Sequence, residues 1–109
     1  MVGGAPEALG LSLARRIVFR PQAEHETLEV QRRYEERREG LGREFGLAVD
    51  DVLARVEDHP LAFPRAHRET RRAMLTRFPY ALYFRSSDSE IVVLAVHGRQ
   101  HPSRWKSRS

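Results

Sequence analysis

His97, Arg99, His101, Arg104 and Trp105 crowd the carboxy-terminal end of a 109-residue chain, directly after the apolar run Ile91 to Val96. Their types suit chemistry on a phosphodiester. A guanidinium holds a phosphate by paired hydrogen bonds and stabilises the charge that builds up during cleavage. Histidine can give or take a proton near neutral pH, and an indole can stack on an unpaired base. Arg72 and Arg85 fall on neighbouring strands of the reading given below, so they can join the same surface. Such a set could cleave RNA without a metal, with Arg72 and Arg99 on the phosphates and His97 or His101 moving protons. The plainer role is to bond strand-end carbonyls or clamp an acidic partner, and spacing alone favours it.

Other chemistries are poorly served. Among His25, His59, His67, His97 and His101 no pair stands three or four apart on a helix. His97 and His101 are four apart, but Gly98 and Pro102 make that stretch a turn, with no acid close in sequence. A metal site needs a fuller ligand set than this, so none is expected. The serines lie in turns and tails without a nucleophile elbow. Gly3-Gly4 and Gly40-Leu41-Gly42 lack the strand-then-helix order of a phosphate loop. Cysteine is absent, which excludes disulfides and thiolate ligands. No cofactor is implied.

The elements that must position the candidate residues centre on Arg77 to Arg99, RFPYALYFRSSDSEIVVLAVHGR. Two β-rich runs separated by Ser86-Ser87-Asp88-Ser89 read as a hairpin. The second run is apolar on both parities, so both its faces should be covered and it should lie inside a sheet. Tyr80 and Tyr83 fall on opposite parities, and only one of them can face a shared groove.

Upstream, RIVFR (16–20) reads as a short strand closed by Pro21, which suits the first turn of a helix. A helix then spans about 22–39, with Ala23, Thr27, Val30 and Tyr34 on one face, Leu28 flanking it, and an ion-paired Glu/Arg face opposite. Gly40 breaks it. A second helix spans about 41–58, with Phe45, Val49, Val52, Leu53 and Val56 as its stripe. Gly46 costs about 1 kcal/mol of helix propensity there, so packing must hold that turn. LAFPRAH (61–67) reads as a connector with Phe63 packed beneath it, and Glu69 to Phe78 as a strand. The order β-α-α-β-β-β predicts an α+β fold, a helical hairpin on a small, mainly antiparallel four-stranded sheet. Residues 15–105 are expected to form one domain, with 1–14 a disordered tail and 106–109 a short trailing one.

Charge is segregated along the chain. Residues 22–58 carry eleven acids against six arginines, whereas residues 59–109 carry ten basic residues against three acids. A basic sheet half favours an anionic partner, either nucleic acid or an acidic protein segment. Arginine use by itself reflects composition, since Lys106 is the only lysine, but composition does not explain the segregation. No apolar run approaches the ~20 residues of a membrane span, and the start lacks the order of a secretory signal, so a cytoplasmic protein is expected.

RFPYALYFR, DSEIVVLAV and HGRQHPSRW, taken in that order, resemble the carboxy-terminal half of the RelE/ParE toxin superfamily of type II toxin–antitoxin modules. RIVFRP, QAEHE, GLGREF and the HP stop after the second helix follow more loosely, so the likeness covers about Arg16 to Trp105. The resemblance implies a growth inhibitor neutralised by a cognate antitoxin. It leaves two biochemistries open: RelE-like members cut mRNA on the ribosome, and ParE-like members poison DNA gyrase. The nuclease pattern is matched at Arg99, after the last strand, and at Arg72, the first of two basic positions on a strand. It is broken at Met74, the second of those positions, and at Ala81, which follows the Tyr opening the next strand. It is broken again at Trp105, where a tail Tyr is usual and where an indole cannot exchange a proton as a phenol does. Each lost stabiliser of the transition state costs on the order of a hundredfold in rate. The resemblance therefore points to the ParE-like branch, with Arg72, Arg85, His97, Arg99, Arg104 and Trp105 as the target-binding set. A domain that only binds its antitoxin is a third possibility. The sequence does not indicate an oligomeric state.

Overall fold

The computed structural model describes residues 15–98. In chain order it contains β1 (Arg16–Phe19), α1 (Pro21–Arg37), α2 (Leu41–Asp58), β2 (Arg65–His67), β3 (Thr70–Met74), β4 (Tyr80–Ser86) and β5 (Glu90–Gly98), with a 3-10 turn at Pro60–Ala62. The strands form one sheet in the spatial order β1-β5-β4-β3-β2. β1 runs parallel to β5, and the other neighbours are antiparallel. This is the expected α+β fold with its helical hairpin.

Local chemistry sets the boundaries. Pro21 cannot extend the β1 ladder and supplies the first residue of α1, while Arg20 N–H still donates to Val93 O at 2.9 Å. Between the helices Gly40 takes φ 89°, a conformation that costs a side-chain-bearing residue dearly. The Glu35 carboxylate accepts from both Gly40 N–H and Gly42 N–H at 3.0 Å, satisfying donors that the start of α2 would leave orphaned. Gly42 and Gly46 face α1 so closely that a Cβ at Gly42 would lie 2.7 Å from Gln31 O. Close helix packing is thus what offsets the low propensity of Gly46. At the Ser86–Ser89 turn, Ser87 N–H donates to Glu90 O, and Ser87 Oγ accepts from Ser89 N–H and Glu90 N–H.

The core lies between the helix pair and one sheet face. Phe45, Val49, Val52 and Val56 of α2 and Ala23 and Val30 of α1 pack over Ala73, Leu82, Phe84, Ile91, Val93 and Val96. Each large apolar side chain buried there stabilises by roughly 1.5–3 kcal/mol. At one end Tyr34, Phe45, Phe78 and Tyr80 form a ring cluster, with Tyr34–Phe78 centroids 5.1 Å apart and Phe45–Phe78 5.3 Å apart, edge to face. Such pairs add about 0.5–1.5 kcal/mol each beyond burial. Across the sheet a second cluster joins Ala81, Tyr83 and Ala95, with Ala66 against it. Tyr80 and Tyr83 therefore do part company, as their parity requires. β5 lies between β1 and β4, and all its residues from Val93 to Val96 are buried. Leu94 is the extra residue of a bulge there, since Tyr83 pairs Ala95 while Phe84 pairs Val93.

Three details depart from the sequence reading. The sheet has five strands rather than four, because Arg65–His67, expected as connector, pairs with β3. Its turn holds Arg68 at φ 53° with no Gly or Asn to announce it, and Pro64 precedes it. β3 stops at Met74 instead of Phe78: Leu75 N–H donates to Tyr80 O at 2.9 Å, and Arg77 turns the chain at φ 77°. Leu28 is 59% exposed rather than flanking the core.

Candidate functional site

Cross-strand register places two of the candidate arginines on one sheet face. Arg72 pairs Tyr83, and Arg85 lies two residues beyond Tyr83 on β4, so both share the side of the sheet away from the helices. Arg72 is exposed and Arg85 half-buried. Among the described residues neither has a carboxylate within ion-pair distance, whereas Arg65 pairs Glu69 at 3.7 Å and Arg77 pairs Glu44 at 2.8 Å. Arg71, on the opposite parity, donates to Phe63 O at 2.6 Å and serves the core side. The positive charge of the sheet half is thus partly neutralised within the chain and partly left facing outward.

His97 is held differently. It is 5% exposed, and its Nε2 lies 2.5 Å from Glu26 Oε2 on α1, within hydrogen-bond distance. Glu26 Oε1 also accepts the Val96 N–H at 3.1 Å. Pairing of β1 with β5 ends at Phe19 and Val93, so beyond that point a helix carboxylate takes over the ladder role of the missing strand. The ring expected to face a target is engaged from inside the molecule. A cleft of about 300 Å³ at the start of α1, lined by Pro21, Gln22, His25 and Glu26, adjoins this pair. Arg99, His101, Arg104 and Trp105 lie outside the described residues.

Glu26 was missed in the sequence because its segment reads as a mixed charged face. The signal was present. Residues 23, 26, 30, 33 and 37 follow helical spacing along one margin of the α1 stripe, which puts Glu26 beside buried Ala23 and Val30.

The register exposes a further relation. Met74 pairs Ala81, and Ala81 pairs His97, so three residues form one row across β3, β4 and β5. Met74 and Ala81 are two of the positions at which the nuclease pattern expects a cation, those that this chain leaves without one. The row presents a thioether, a methyl and an imidazole already bonded to Glu26. Among the described residues no group of three or more His, Asp or Glu could hold a metal ion, and no helix is long and apolar enough to cross a membrane.

No family model matches the chain. It is similar in sequence to Toxin ParE2 of Mycobacterium tuberculosis, strains CDC 1551 / Oshkosh and H37Rv, with 34% identity over 64 residues. That alignment takes in 58% of this chain and 61% of the relative, so just under two thirds of the ParE2 length is spanned. In fold it matches a chain of the chromosomal ParDE TA system from P. aeruginosa with a TM-score of 0.58, covering 79% of this chain and 97% of that one at 17% identity. The fold is therefore ParE-like. The sequence likeness to Toxin ParE2, over part of its length, agrees with the resemblance that the motifs carry.

Proposed function

We propose that the chain is the toxin of a type II toxin–antitoxin module, acting in the cytoplasm on DNA gyrase and neutralised by a cognate antitoxin that covers the basic sheet face and the end of the helix pair. Likeness to Toxin ParE2 and to a chain of a ParDE system supports the toxin part. Gyrase is favoured over mRNA by the row Met74–Ala81–His97. Cleavage without a metal needs cations poised where charge develops, and this row supplies none that is free. Arg72 and Arg85, joined in the proposal by Arg99, Arg104 and Trp105 of a domain spanning 15–105, bind the target electrostatically instead.

One observation favours the rival reading. Arg72 is exposed, without a carboxylate partner among the described residues, at a position that the resemblance assigns to the ribosome-dependent nucleases. With Arg99 on the phosphates and His97 or His101 moving protons, it would make an A-site endoribonuclease.

The purified protein is incubated with gyrase and relaxed plasmid, and separately with programmed ribosomes and mRNA. Trapped cleaved-DNA complexes that disappear in Arg72→Ala/Arg85→Ala are the expected result. Codon-specific mRNA cuts lost in Arg99→Ala would overturn the gyrase assignment.

A further inference from the structure

A second arginine cluster lies at the ring-cluster end of the core, two of its three members on a helix that the charge totals mark as acidic. Arg33 Nη2 lies 3.4 Å from Tyr80 Oη. The Arg37 guanidinium sits 5.4 Å over the Tyr34 ring, and that of Arg77 sits 5.4 Å over Phe78. Tyr34, Phe78 and Tyr80 touch one another through Tyr34, so one aromatic body carries all three cations. Burial and then Tyr80 hold the Tyr34 phenol above its ordinary pKa, opposed in smaller part by the nearby Arg37 and Arg33.

The nearby acids do not neutralise this end. Glu29 and Glu36 are taken by Arg32, and Glu35 caps Gly40 and Gly42. Glu39 is exposed and makes no ion pair among the described residues. Glu44 alone serves the cluster, accepting from Arg77 at 2.8 Å and from Arg38 at 3.3 Å. Arg33 and Arg37 stand four apart on α1, a like-charge spacing that costs a few tenths of a kcal/mol. The negative end of the helix offsets this for Arg37 but not for Arg33. Arg77 also holds φ 77°, which costs about 1–3 kcal/mol. Repulsion and strain are thus concentrated at one exposed place.

From this arrangement we infer that the Arg33–Arg37–Arg77 end is a docking surface for an acidic segment of the antitoxin, whose carboxylates pair with Arg33 and Arg37 as Glu44 already pairs with Arg77. The inference deepens the proposed function and rests on it only for the identity of the partner. Protein is favoured over single-stranded nucleic acid because guanidiniums already lie over Tyr34 and Phe78 and Tyr80 packs edge-on against Tyr34 and Phe45, which leaves little ring face for a base to stack on. A carboxylate, by contrast, is the ligand this cluster is seen to accept.

The test uses the full chain and a fluorescein-labelled ten-residue peptide of alternating Glu and Leu, read by anisotropy. The Gln–Leu peptide and a twelve-nucleotide single strand serve as competitors. The expected result is saturable binding of the acidic peptide, weakened about tenfold or more in Arg33→Gln/Arg37→Gln and weakened less in Arg72→Gln/Arg85→Gln, which alters the sheet face. Both arginines of the first variant are exposed and lack acid partners among the described residues, so folding should persist, which circular dichroism verifies. Failure of the wild type to bind, equal binding in Arg33→Gln/Arg37→Gln, loss confined to the sheet-face variant, or displacement by the oligonucleotide as effective as by unlabelled peptide would each overturn the inference. Growth assays on induction judge the toxin reading separately, since a protein that fails to inhibit growth can still bind the peptide.

Discussion

Glu26 and His97, 71 residues apart in sequence, meet at 2.5 Å where the edge of β5 runs past the end of β1. The same carboxylate accepts the Val96 N–H, so one side chain satisfies two partly buried donors. Glu26→Ala strands both and should cost about 2–3 kcal/mol in urea unfolding. Glu26→Gln keeps an acceptor for Val96 and should cost clearly less. Amide exchange at Val96 should accelerate in the Ala variant before global stability is lost. Unchanged exchange there would mean that water replaces the carboxylate.

The helix pair is set by what Gly42 permits. A Cβ at Gly42 would meet the backbone oxygen of Gln31 at 2.7 Å, and neither backbone can yield cheaply. Gly42→Ala should therefore destabilise by about 1–3 kcal/mol. At Gly46 the obstacle is Gln31 Nε2 at 2.6 Å, the end of a flexible side chain. Gly46→Ala gains about 1 kcal/mol of helix propensity, so its denaturation midpoint should stay near that of the parent.

Thr70 is fully buried, and its Oγ1 has no hydrogen-bond partner among the described residues. An unsatisfied hydroxyl is a cost, and Val has the same shape without it. Thr70→Val should raise stability by about 1 kcal/mol, seen as a higher thermal midpoint. Thr70→Ser, which keeps the hydroxyl and drops the methyl, should lower it.

Hydrogen bonds from Arg77 and then Arg38 hold the Glu44 carboxyl below its ordinary pKa. A carboxylate whose folded pKa is depressed adds stability that is fully present above its unfolded value, near 4.3, and is lost as pH falls through the folded value. The carboxylate still reaches solvent, with the side chain about one third exposed (34%), so the effect is modest and salt-sensitive. Glu44→Gln should flatten the decline in stability below about pH 4.3 and leave the Arg68 turn untouched. An acid limb identical to that of the parent would show that the pairing contributes nothing in solution.

The parts of the fold that could be read in advance are those governed by short-range rules. Pro21, Gly40 and Asp58-His59-Pro60 punctuate the helices where the sequence says they should, and α2 runs over the expected Leu41–Asp58 with its whole stripe buried. Strand β2 was hidden because its three residues follow Pro64 and its turn relies on Arg68 at positive φ rather than on Gly or Asn. The site was less legible. Parity placed Arg72 and Arg85 on strands, but only the register shows that they share a face and that Met74 stands opposite Ala81. Glu26 and Arg33 looked like solvated charge because a run of mixed acids and arginines conceals which members border the apolar stripe. Dividing the chain into an acidic helical half and a basic sheet half was too coarse, since α1 lends Arg33 and Arg37 to the end of the sheet.

The pairing of β1 with β5 constrains how the protein comes into being. Arg16 and Glu90, joined by an ion pair, are 74 residues apart, and among the described residues β1 pairs only with β5. Closing so long a loop is slow and gains nothing until it is complete. During synthesis the first strand must wait, unpaired, until nearly all the other described residues have left the ribosome. The same holds for the bonds of Glu26 to Val96 and His97, which form only once those residues have emerged. A nascent chain therefore has no finished sheet to present, and a message broken before the codon for Glu90 yields a product that cannot assemble one.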